Sequence, residues 1–338
     1  MSKVAVVKGK DREGNIVQTL ELLKEDIKES IAKKGSGKLF IKINAIDPNF
    51  PLACTHPKAL EIVLNNFQSD FDDIIVGDNT YAFYKEENLY RETVEKFKNA
   101  RSSDLTEFPS GDIDFHQLEG KVKRGTISKI TKTYYTISLA LPKTHDYAIF
   151  TACTKNMMGC VINKRPSVHG VNIIERIFTN RYIKSLRPMN ENLTNVIEHA
   201  MPDLCLLDAF TGMDGTGPLL GNKVNLGIAM GSLDGAALDA TAARIVGFKK
   251  VHYLKMLAER GLGEIEPENI EIIKEGFIDL DEITKPFRPH YLYRYQVMLD
   301  GPTGIIPGFD YRLFLSYIKR FYRIKDKILE HLKKEELF

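Results

Sequence analysis

The sequence predicts an α/β protein: a mostly parallel sheet flanked by helices, arranged as two lobes with a cleft between them. Strand, helix, strand, helix and strand patterns succeed one another within the first 78 residues, the order that builds parallel sheets through right-handed crossovers. The short apolar runs end in polar or glycine residues, where such sheets bind ligands beyond their strand carboxyl ends. The chain has 338 residues, 43% apolar and 27% charged, enough for about two ordinary domains and a core without staples.

Val4–Val7 reads as the first strand. An amphipathic helix follows, its Leu20, Leu23, Ile27 and Ile31 stepping by three or four residues until Gly35-Ser36-Gly37 stops it. A second strand spans Leu39–Ile43, and Asp47-Pro48-Asn49 makes a turn. The next helix runs from about Pro57 to Phe67, with Thr55 as its expected N-cap. Ile74–Val76 forms a third strand ending at Gly77-Asp78, and residues 81–108 read as a polar, helical surface excursion. Two or three strands follow between Lys121 and Leu141, then a buried strand, Leu204–Leu207, ending at Asp208. Seven of the 24 glycines fall between Gly212 and Gly235, where even spacing would give fewer than two. That stretch holds the strand Leu226–Met230. A helix then runs from Asp234, its N-cap, to Val246, closed by Gly247, with Asp239 on its surface or behind a site. Residues 1–290 form the core on this reading, and 291–338 are a C-terminal helical extension.

Lys plus Arg number 47 against 45 Asp plus Glu, so the whole chain offers no electrostatic case for nucleic acid. The basic residues of the last helix interleave with acids, as on a solvated face. No apolar run approaches the ~20 residues of a membrane span, and the N-terminal run is too short for a signal peptide. Four cysteines without a secretory signal predict a reduced, cytoplasmic protein rather than a disulfide framework.

Chemistry-bearing residues concentrate between Lys143 and His169. Lys143 and Lys155 suit anion binding or nucleophilic amine chemistry, and His145 and His169 suit acid–base work or metal ligation. Cys54, close to His56, and Cys153 and Cys160, which bracket Lys155, could supply soft metal ligands; each also fits as a small buried hydrophobe. No C-x-x-C spacing supports a self-contained iron–sulfur cluster. The segment 212–218 lacks both the Walker A lysine and the third glycine of a dinucleotide fingerprint. Its Gly215 and Gly217 amides could wrap an anion, or the loop could be a tight structural turn.

These motifs in order resemble the domain of unknown function 362 family, some of whose members are fused to ferredoxin domains. The resemblance rests on Lys42-Ile43-Asn44, Thr55-His56-Pro57, Gly77-Asp78, Lys143-Thr144-His145 and Lys155-Asn156 with Gly159. It continues through His169, Asp208, Gly217-Pro218 with Gly221, and Gly231 through Asp239 to Gly247. Ile43 stands where the family has proline, and Gly235-Ala236 where it commonly has Pro-Val; the ferredoxin cysteines are absent. A fainter similarity links the chain to the nickel-pincer lactate racemase group. That similarity implies His56 and His145 as paired acid–base groups, Lys155 as the lysine joined to a nucleotide cofactor, and His169 as a metal ligand. Cys153-Thr154 stands where the racemases carry a glycine pair.

Two functions are therefore expected. The first is a metal- or cofactor-dependent enzyme, of isomerase or redox type, acting on a small oxyanion. Its catalytic residues would be His56, His145 and Lys155. Lys42, Asn44, Lys143, Asn156, Gly215 and Gly217 would bind cofactor, and His169, Cys54, Cys153 and Cys160 would hold nickel, iron or zinc. The second is a non-catalytic phosphate- or metabolite-binding module docking to an iron–sulfur protein. Either could work as a homo-oligomer.

Overall fold

The computed structural model describes residues 1–79, 89–115, 124–162, 180–274 and 279–297. Their strands are β1 (Ser2–Lys8), β2 (Lys38–Ile43), β3 (Asp73–Asp78), β4 (Ala100–Asp104), β5 (Ser110–Asp114) and β6 (Arg124–Ser128). After these come β7 (Tyr135–Ala140), β8 (Lys143–His145), β9 (Ile149–Thr151), β10 (Leu204–Asp214), β11 (Asn222–Ser232) and β12 (Ile270–Ile273). One sheet runs β12-β1-β11-β10-β7-β2-β3-β4, with β8 and β9 attached beside β10, while β5 and β6 pair separately. From β10 to β4 every neighbour is parallel, and β11 alone on the path runs against both its neighbours. The sheet is mixed and mostly parallel, as predicted.

Alternation along the strands divides the core. Leu204 and Leu206 of β10 face one apolar cluster, which also contains Ile16, Leu20 and Leu60 from the helices Arg12–Leu22 and Pro57–Phe67. Cys205 and Leu207 face the other cluster, built with Ala236–Leu238 and Leu257 from the helices Gly235–Ile245 and His252–Glu259. Successive side chains of a strand point to opposite faces, so a strand covered on both sides becomes a continuous apolar run. Among the described residues no helix is long and apolar enough to cross a membrane.

Several details differ from the sequence reading. The helix expected around Leu20 to Ile31 is two helices, Arg12–Leu22 and Lys24–Lys34, joined at Leu23 and ended by Gly35 at φ 60°. Leu20, Leu23 and Ile27 stay on one buried side across the joint. The N-cap of Pro57–Phe67 is His56, not Thr55: Nδ1 of His56 accepts the Lys58 amide. The Thr55 hydroxyl is already committed, donating to the Leu139 carbonyl and accepting the Asn44 amide. The supposed helical excursion reduces, in its described part, to the short helix Arg91–Val94 followed by β4. Strand β10 does not stop at Asp208 but continues to Asp214 through an irregularity between Ala209 and Thr211. The predicted C-terminal helix lies outside the described residues.

Of the two placements expected for Asp239 the surface one is excluded, since the residue is fully buried. Its carboxylate accepts the amides of Cys153 and Thr154 at 2.9 Å each, together with the Thr154 and Tyr253 hydroxyls. It thereby fixes the start of the short helix Cys153–Asn156, which carries Lys155. Burial raises its pKa to about 6 against the opposing pull of these donors. Asp239→Ala, which strands two amides and two hydroxyls, is expected to lower the unfolding free energy by ~3 kcal/mol or more in urea titration.

Candidate active site

The site lies at the carboxyl end of the parallel strands and starts with an ion pair. Lys42, next to last in β2, and Asp78, last in β3, meet at 2.8 Å with side chains 1% and 4% exposed. Each is held further. The Lys42 ammonium donates to the Ile43 carbonyl at 2.7 Å and to Asn156 Oδ1 at 3.2 Å. Asp78 accepts the amides of Ala45 and Asn79 at 2.8 Å. Asn156 closes the arrangement, donating Nδ2 to the Lys42 carbonyl and to Ser138 Oγ. Gly159 packs against the pair so closely that a Cβ there would fall 2.2 Å from Asp78 Oδ1 and 2.7 Å from Lys42 Nζ.

Two more buried amines share the electrostatics of this pair. Lys143, on β8, is 1% exposed and donates to the Ala53 carbonyl at 2.6 Å and to Asn44 Oδ1 at 3.2 Å. Burial pushes its pKa down to about 7, and the positive charges of Lys155 and Lys42 act in the same direction. Lys155 is 6% exposed and has no hydrogen-bond or ion-pair partner among the described residues. Burial lowers its pKa to about 8, opposed by Asp146 and assisted by Lys42. Desolvation disfavours the ammonium form, and like charges compound the effect.

The other expected residues distribute around this centre. His145 follows Lys143 on the same side of β8; its Nδ1 accepts the Tyr147 and Ala148 amides at 3.0 and 3.3 Å, with Asp146 Oδ1 at 3.1 Å. His56 is exposed and lies near Arg12 and Lys223, whose charges add to desolvation in lowering its pKa. Arg12 itself pairs with the buried Asp208 at 2.8 Å and stacks over Phe210. With Nδ1 accepting a backbone amide, the neutral His56 ring carries its proton on Nε2 and presents a donor.

Among the described residues the cysteines do not gather into a metal donor set. Cys54 sits beside Lys143, Cys160 near the Lys42–Asp78 pair, and Cys153 against Cys205. Burial raises all three thiols, Cys160 to about 12, which opposes the thiolate form that a metal requires. No group of three or more His, Cys, Asp or Glu that could hold a metal occurs among the described residues. His169 lies outside them.

The glycine loop is engaged within the protein. The Gly215 amide donates to the Arg288 carbonyl at 2.7 Å, and the Gly217 amide to the Thr144 hydroxyl at 3.2 Å. Gly215 takes φ 74°, and Asp214 is clasped by Arg288. Sequence reasoning placed Asp78 at a strand end without giving it a role, and it missed Asp146 and Ser138. The Gly-Asp terminus of a buried strand beside a lysine was the available signal for Asp78.

The fold and this site define an α/β protein with a cluster of buried amines at the strand carboxyl ends. The chain belongs to the domain of unknown function 362 family, matching it over residues 39–244. No curated protein matches the sequence. Among solved structures it is similar to the lactate racemase apoprotein from Thermoanaerobacterium thermosaccharolyticum, at 12% identity and a TM-score of 0.39, over 73% of this chain and 58% of that one. It is also similar to a protein from Thermotoga maritima, at 10% identity and a TM-score of 0.32, over 56% of this chain and 50% of that one. The chain thus spans little more than half the length of the first and half that of the second.

The Lys143 shift has a stability consequence. A lysine whose folded pKa is about 7, against 10.5 in the open chain, contributes stability that is present above pH 10.5 and lost as pH falls through 7. Lys143→Met should therefore gain stability relative to the parent below pH 7, by on the order of a few kcal/mol, and lose that advantage towards pH 10. Urea unfolding across that range measures the difference.

Proposed function

We propose that this protein is a metal- or cofactor-dependent enzyme of isomerase or redox type acting on a small oxyanion, in which amine and imidazole groups transfer the protons. The observation that carries the reading is the pair of buried lysines, Lys143 and Lys155, with pKa lowered to about 7 and about 8 beside the Lys42–Asp78 pair. An amine poised near neutrality is an efficient proton acceptor, because enough of it is free base at working pH. It is also an anion receptor. A carboxylate or phosphate entering the cluster would return the amines to their charged form and make charge-assisted hydrogen bonds. The histidines suit the complementary role, since His56 presents Nε2–H.

Oxyanion binding on this reading takes up protons. A ligand that raises the pKa of Lys143 and Lys155 binds more tightly as pH falls from 9 to 6, by up to tenfold per unit for each proton taken up.

The non-catalytic reading, in which the chain binds a metabolite and docks to an iron–sulfur protein, draws support from a different feature. Lys42, Lys143 and Asn156 are held in place by hydrogen bonds inside the protein, as in a preformed receptor. Calorimetry with phosphate and with acetate tests the shared element. Binding should be at least tenfold tighter at pH 6 than at pH 9 and about 10–100-fold weaker in Lys155→Met. Affinity indifferent to both changes would contradict the site. Deuterium entering the C–H bond of a bound 2-hydroxy acid in heavy water, and failing to do so in Lys155→Met, would favour the enzyme over the receptor.

A further inference from the structure

We propose that a cavity between the helices Gly235–Ile245 and His252–Glu259 is a second binding site, for a small phosphate monoester with a compact apolar body. It shares no lining residue with the cluster around Lys42 and Asp78. Its volume is about 280 Å³, close to the smallest pockets that take small molecules (~300 Å³). The room follows from the helix sequence. Ala240, Ala243 and Arg244 stand at i, i+3 and i+4 and so share one face, where the two alanines leave space that longer side chains would fill. Phe248, Leu254 and Ile265 complete the apolar lining. The Phe248 ring is fixed by contacts with Phe150 and Tyr293, centroids 6.1 and 5.7 Å away.

The polar lining is cationic. Arg244, Lys249, Lys250 and Lys255 border the cavity, against Glu266 as the one carboxylate residue in its lining. Among the described residues the only ion pair these four cations make is the 3.9 Å contact of Lys255 with Glu259. Arg244 is half-buried and is held by donating to the carbonyl of Ile265, itself a lining residue. The helix His252–Glu259 also begins here. Val251, its N-cap, and His252, Leu254 and Lys255 of its first turns line the cavity; no side chain caps it, and no acid stands in its first turn. Such a terminus carries partial positive charge that favours a phosphate. His252 belongs to the wall, since its Nε2 is engaged with the Gln296 carbonyl at 2.7 Å. A phosphate monoester is close to doubly charged above neutral pH and offers three acceptor oxygens, enough for a guanidinium and ammonium groups together. Its organic part is what the alanines, Phe248 and Leu254 would cover, which a bare inorganic anion leaves unused.

Titration calorimetry on the full chain with phenyl phosphate, inorganic phosphate and benzoate tests this. Phenyl phosphate should bind at least about fivefold more tightly than either of the others. Its affinity should fall about tenfold or more in the double variant Lys249→Gln, Lys250→Gln, both of whose side chains are exposed and unneeded for packing. The same loss of charge at the exposed Lys24 and Lys28, in Lys24→Gln, Lys28→Gln, should leave it unchanged. Ala240→Leu fills the cavity and should abolish binding while the circular dichroism of the folded chain is retained. Lys155→Met should bind phenyl phosphate as the parent does, which separates this cavity from the oxyanion site. Affinity that survives the Lys249 and Lys250 substitutions, that is lost in Lys155→Met, or that falls as far in the Lys24 and Lys28 control would overturn the proposal. Equal affinity for phenyl phosphate and inorganic phosphate, or no binding at millimolar phenyl phosphate, would overturn it too.

Discussion

The ion pair between Lys42 and Asp78 is the constraint on which the rest of the site depends. It joins the ends of two adjacent parallel strands, and both groups are almost wholly withdrawn from water. Removing either partner from such a pair typically costs ~3–5 kcal/mol, because the other is left buried and uncompensated. The hydrogen bonds around it are consequently complete. Backbone amides serve Asp78, and the Ile43 carbonyl and Asn156 serve Lys42. The bare Cα of Gly159 gives the pair room to close. Once these charges neutralise one another, a further cation nearby meets low dielectric with too little carboxylate charge to offset its burial. That is the condition of Lys143 and Lys155, and it turns two ordinary ammonium groups into partly free amines.

The chemistry follows from that imbalance rather than from any single residue. A buried cluster with more amines than carboxylates is completed by an anion, and an amine that titrates near neutrality can both bind that anion and exchange a proton with it. The histidines contribute as fixed donors, because backbone amides occupy Nδ1 of each. The thiols, all protonated by burial, serve as packing within the cluster. The glycine loop braces β8 through Thr144, and thus steadies Lys143 one residue earlier in the chain.

Much of this could be read from the chain because local rules dominated where they were strong. Pro57 at the first helical position, Gly35 as a left-handed stop and Asp234 as an N-cap are single-residue signals with one structural meaning. Lys42 was legible as a site candidate because it stands at the carboxyl end of an apolar strand, whereas Lys143, Lys155 and Asn156 stood out through the density of polar and ionisable residues beside strand-like stretches. What stayed hidden depended on distant partners. Thr55 is the better capping residue by propensity, but β7 claims its hydroxyl through Leu139. Asp239 could be read only as a carboxylate either on the surface or behind a site, because its donors come from residues 153 and 154, more than 80 positions away. Strand β4, Ala100–Asp104, is mostly polar because it forms the sheet edge, where apolar alternation is not required. Whether the thiols would gather could be decided only once their positions in three dimensions were known.

The central claim is that the two lysines beside the Lys42–Asp78 pair exchange their protons close to neutral pH. Nuclear magnetic resonance of selectively labelled lysine side chains, followed through a pH titration of the folded protein, reads this directly. The account predicts one resonance with a midpoint of about 7, lost in Lys143→Met, and another of about 8, lost in Lys155→Met. Both side chains titrating with the surface lysines near 10.5 would contradict it.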